Sequence, residues 1–277
     1  SKSQLCLYLY VVFVVLLLLV VCRFVRCISY FKAQNNLKIV LAKYKENTDW
    51  AKQLKSPYII YSKIEGEENY VKDSPDSEAS TYLHHIINNY DALDEWTLFA
   101  HAHEKHWHHP TSMLTSSTID LEKMVKENIK FFSVNHYDTV GKPIMMMTNE
   151  DPTLQPSELT PSEYQTIFED VFGIEEYEKA CDSDSDDGRF IGKQLYPMCA
   201  QFFVHRSRIL NRPKSFYERC LKILNDHHLM AKKANSVNYD RRLGCFFYET
   251  LWHYIFGENI LYEPKIKNYE DYPFKKS

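Results

Sequence analysis

The chain has 277 residues, 44% of them hydrophobic and 14% aromatic, which excludes a disordered chain and is enough for a substantial core. A formal net charge of -4 argues against electrostatic capture of nucleic acid, because the basic clusters Arg206/Arg208/Arg212 and Arg241/Arg242 are too short to form a basic face. Seven cysteines occur without any C-x-x-C spacing, so neither a zinc ribbon nor a thioredoxin-like site is indicated; buried free thiols are the expected state of those in the domain.

Leu5 to Cys22 is an unbroken apolar and aromatic run of eighteen residues, nearly the thickness of a bilayer core as a helix. No small-residue cleavage site follows it, so the reading is a retained single anchor. Arg23, Arg26 and Lys32 against Lys2 favour a cytoplasmic body, but single-anchor enzymes with a lumenal body are common and the orientation stays open. Residues 1–36 are taken as anchor and stem, 37–265 as the folded domain, and 266–277 as a tail.

The domain opens with a strand at Lys38–Lys43, a short helix Trp50–Leu54 capped by Asp49 or Thr48, and a second strand at Tyr58–Ser62. Strand, helix, strand at this spacing is a βαβ unit. The expected fold is therefore α/β, one domain with a mostly parallel central sheet flanked by helices and preceded by one transmembrane helix. Glu78 to Tyr90 repeats Tyr82, Ile86 and Tyr90 at four-residue intervals and reads as an amphipathic helix, with Glu78 in its first turn. A strand at Thr97–Ala102 follows and runs into five histidines: His101, His103, His106, His108 and His109.

Strand alternation puts His101 and His103 on one face, and a turn can return a third imidazole to them. Neutral imidazole ligates zinc and other first-row metals, but it also binds substrates or hydrogen-bonds within a strand-end loop. Further on, Ile129–Val134 and Gln201–Val204 read as strands, Pro161 opens a helix, Lys214–Leu224 is a helix, and Cys245–Phe256 is an apolar helix ended by Gly257. On that last helix Glu249, Trp252 and His253 share a side, and a Glu and a His buried there need partners. The run Asp182-Ser-Asp-Ser-Asp-Asp-Gly188 lacks the EF-hand glycine and glutamate positions; a flexible acidic loop is the preferred reading over a D-x-D metal–nucleotide site.

Several segments in order are Asp49-Trp50, Glu78-Ala79 with Thr81-Tyr82-Leu83, and Phe99, His101, His103, Trp107 and His108. Cys199-Ala-Gln201-Phe202, Val204, Arg206, Ile209 and Arg212-Pro213 come next, then Glu249, Leu251, Trp252, His253 and Ile255-Phe256-Gly257. Together they make residues 38–260 resemble the family catalogued as domain of unknown function 3431. Asp76-Ser77 stands where that family has Gly-Arg, and Ala102 where it has a glycine between the histidines. The family supplies no established activity; its βαβ opening and frequent membrane anchor look like nucleotide-sugar glycosyltransferases by analogy of fold.

The resulting expectation is a membrane-anchored glycosyltransferase-like enzyme acting on a glycan or glycoconjugate. Glu249, Glu78 or His101 would do acid–base work, and Arg206, Trp107, Gln201 and His253 would contact substrate. His101, His103 and His108 would hold a divalent metal, manganese or zinc. The alternatives are a metal-dependent hydrolase using the same three histidines, and a non-catalytic membrane-tethered module.

Overall fold

The computed structural model describes residues 17, 20–21, 36–72, 78–105, 111–134, 161–182, 200–233, 243–259 and 272–274. Apart from Leu17, Val20 and Val21, the apolar run Leu5–Cys22 lies outside the described residues. Among those described, no helix is long and apolar enough to cross a membrane.

Five strands form one sheet: β1 (Leu37–Lys43), β2 (Tyr58–Ser62), β3 (Trp96–His101), β4 (Phe131–Ser133) and β5 (Phe202–His205). Their order is β2-β1-β3-β5-β4. The pairs β1–β2 and β1–β3 are parallel, whereas β3–β5 and β4–β5 are antiparallel. The sheet is mixed, not mostly parallel. The βαβ spacing reports only the local pairing of β1 with β2; β5 arrives from far along the chain, where local spacing carries no information about direction.

Alternation along the strands explains the two faces. Val40, Phe99, Phe202, Val204 and Phe131 point to one side. That side is covered by α2 (Glu78–Asn89), α5 (Pro161–Phe172), α6 (Ile174–Asp182), α7 (Arg206–Ile209), α8 (Lys214–Lys233) and α9 (Leu243–Ile255). Leu37, Ile39, Leu41, Trp96, Leu98 and Phe203 point to the other. There they meet the short 3-10 helix α1 (Asp49–Gln53), α3 (Met113–Ser116), α4 (Leu121–Lys126), Tyr272 and Phe274. The three-layer arrangement follows from strands apolar on both faces. The cap of α1 differs from the sequence reading: Thr48 makes no side-chain cap, and Asn47 Oδ1 accepts the Asp49 N–H at 2.8 Å.

An aromatic cluster joins sheet and helices. Phe202 lies within 6.0 Å, centroid to centroid, of Tyr82, Phe99, Phe131, Trp252 and Phe256. The buried Tyr82 hydroxyl donates to Ala200 O at 2.7 Å, and Tyr248 to Cys220 O at 2.7 Å, so the phenols lose no hydrogen bond on burial. Gly257 closes α9 with φ 78, the left-handed conformation that favours glycine, and its carbonyl accepts from Arg208. Cys220 is a buried free thiol, and burial pushes its pKa up to about 12.

A carboxylate and imidazole cluster at the carboxyl ends of β1 and β3

Because β2 and β3 flank β1 on opposite sides, the two crossovers pass over opposite faces, α1 below and α2 above. The chain therefore reverses its winding at β1, and the carboxyl ends of β1 and β3 form the switch point outside which open α/β sheets bind ligands. His101 is the last residue of β3, paired in register with Ala42 of β1. It lies on the same face as Phe99, beneath the first turn of α2. Glu78 opens α2, and its Oε1 is buried without a hydrogen-bond partner.

Burial holds the His101 imidazole below its ordinary pKa range. The charge of Glu78 opposes that shift most, His103 adds to it, and Glu46 opposes it again, so His101 feels all three groups. Glu46 stands on the loop just beyond β1, with Oε1 3.3 Å from His103 Nε2 and Oε2 accepting the Tyr44 N–H at 2.5 Å. The residue between the histidines is clamped: Ala102 N donates to Ala42 O, and the buried Trp50 indole donates to Ala102 O at 3.0 Å. The D-W pair thus fixes the H-x-H segment from the opposite face.

Gln201 is buried beside the same end of β3, since β5 runs antiparallel and pairs Phe202 with Phe99. Its carbonyl accepts from Val134 N. Glu249 is half-buried on α9, one turn before Trp252. Trp252 packs on Tyr82 and Phe202, and the end of α9 reaches Arg208. His253 is buried about 6 Å further along the helix axis, toward the end that reaches Arg208.

Arg206 is elsewhere. It follows β5 and donates its N–H to Glu95 O at the amino end of β3, a strand length of about 17 Å from His101. It is not part of this cluster. A cation at the right end is Lys63, which follows β2 and donates to Ser80 Oγ in the first turn of α2 at 2.7 Å. Trp107 and His108 lie outside the described residues. Among the described residues no group of three His, Cys, Asp or Glu side chains is arranged to hold a metal ion, so these residues by themselves do not make a metal centre.

Glu46 and Lys63 were not picked out from the sequence. Their signal is positional: each stands one to three residues beyond the carboxyl end of a parallel strand.

A family model described as protein of unknown function (DUF3431) matches residues 39–269. The chain belongs to that family. Its match spans every strand but the first two residues of β1, and takes in Glu46, Glu78, His101, His103 and Glu249. No curated protein and no solved structure matches this DUF3431 protein.

Proposed function

We propose that this DUF3431 protein is a membrane-anchored glycosyltransferase-like enzyme, transferring a sugar from a nucleotide sugar to a glycan or glycoconjugate. The observation that carries the reading is the convergence of Glu78 and His101 at the winding reversal between β1 and β3, the position where open α/β sheets bind nucleotide ligands. A switch point with ionisable groups of opposing influence has the parts that sugar transfer needs. A carboxylate or imidazole takes the acceptor's proton, and Lys63 with the first turn of α2 faces the donor's phosphates. The apolar run Leu5–Cys22 supports a single anchor near membrane-borne acceptors.

Calorimetry with UDP- and GDP-sugars, with and without manganese, tests the reading on the full chain in detergent. Binding of one donor, weakened in Lys63→Ala, supports it. Absence of binding to any nucleotide sugar, with Glu249→Gln leaving the cellular role intact, would replace it by a membrane-tethered binding module.

A further inference from the structure

The two histidines at the carboxyl end of β3 are not equivalent. His101 is half-buried with its Nε2 sealed from solvent, whereas the His103 side chain is 43% exposed and its neighbour Glu46 only 17%. Glu46 is itself held: Tyr44 N–H binds Oε2, which leaves Oε1 against His103 Nε2. A carboxylate only accepts hydrogen bonds, so it favours the neutral ring with the proton on Nε2 and the lone pair on Nδ1. The backbone under the ring is fixed as well, because Ala102 is tied through its N–H to Ala42 and through its carbonyl to Trp50. An accessible imidazole, oriented by a more buried carboxylate on a clamped strand end, is the arrangement of an oriented general base.

We propose that His103 takes the acceptor's proton and that Glu46 is the positioning residue that sets its tautomer, an inference that rests on the transferase reading above. In the step, the acceptor O–H bond breaks and its proton passes to His103 Nδ1. The acceptor oxygen bonds to the anomeric carbon, and the bond from that carbon to the donor's phosphate oxygen breaks, its electron pair leaving on the phosphate. The carboxylate of Glu46 balances the imidazolium so formed, and the proton is then released to water. Glu46 acts through His103 and does not touch the sugar.

The test uses the full chain in detergent, labelled with 15N-histidine, with His103→Asn assigning the His103 signals. The expected result is the Nε2-protonated tautomer in the wild type and a shift toward the Nδ1-protonated form in Glu46→Gln, whose amide can donate to Nε2. Glu46→Asp restores the wild-type pattern in part. With the donor found by calorimetry, Glu46→Gln and His103→Asn lower kcat on the order of 10²-fold or more while donor KM stays the same. An unchanged tautomer in Glu46→Gln overturns the positioning role, whatever the activity. Wild-type turnover in a folded His103→Asn overturns the base assignment. Failure to bind any nucleotide sugar overturns the transfer step, while the tautomer measurement still decides whether Glu46 orients His103.

Discussion

Glu78, in the first turn of α2, and His101, at the last position of β3, are twenty-three residues apart in sequence, yet the carboxylate's charge acts directly on the imidazole. Burial lowers the His101 pKa, and Glu78 is the strongest influence raising it again. Replacing Glu78 by Gln removes that opposition and lowers the His101 pKa further. Histidine NMR titration reads this directly; a His101 value unmoved by Glu78→Gln would separate the two residues.

The second histidine effect concerns stability. His85 is buried on α2, where Asn89 Nδ2 lies 3.3 Å and the Tyr61 hydroxyl 3.1 Å from its Nδ1; burial, with Lys38 and His84 adding to it, lowers its pKa to about 4. Asn89 can only donate there, so the neutral ring is the one that fits. Between about 6.5 and about 4 the unfolded chain takes up a proton that the folded chain refuses. Stability therefore falls as pH drops through that window, by about 3 kcal/mol from this residue alone. Denaturant unfolding at pH 7 and pH 4 should show a smaller loss in His85→Gln than in the wild type; equal losses would remove His85 as the cause.

Trp50→Phe keeps most of the packing of α1 against the sheet but removes the indole donor from Ala102 O. A buried carbonyl left without that partner costs about 1–3 kcal/mol. The variant should unfold at lower denaturant, and its His103 NMR signal should broaden or move because the H-x-H segment has lost one of its two ties. A variant as stable as the wild type, with His103 unaffected, is the contrary result.

Phe202 is fully buried among five aromatic rings, and truncation to Ala should cost about 3–5 kcal/mol. Loss of less than half of that in urea unfolding would mean that the helices close over the cavity.

Arg206→Ala, at the far end of the sheet from the histidines, is expected to leave nucleotide-sugar affinity within about twofold of wild type. Lys63→Ala should weaken the same binding by tenfold or more, about 1.4 kcal/mol. The reverse ranking in calorimetry would move the donor to the other end of the sheet and away from His101.

Much of the fold could be read from local pattern. Segments overlapping all five strands, the α2 helix beginning at Glu78, the Pro161 start of α5 and the Gly257 stop of α9 follow from periodicity, capping and backbone preference within a few residues. The strand that ends at His101 was also legible, because apolar pattern along a strand is a local property, but His103 lies beyond its end, where alternation does not place it. What needed the tertiary structure was every relation between distant segments. The direction of β5 depends on a connection too long for spacing to report, and it alone sends Arg206 to the amino end of β3 while leaving Gln201 at the carboxyl end. Glu46 has no motif of its own; it becomes part of the site because β1 lies between β2 and β3, so that the loop leaving β1 meets the end of β3. Local residue preferences set the elements, whereas the strand order, decided by how two apolar faces are covered at once, set which ends meet.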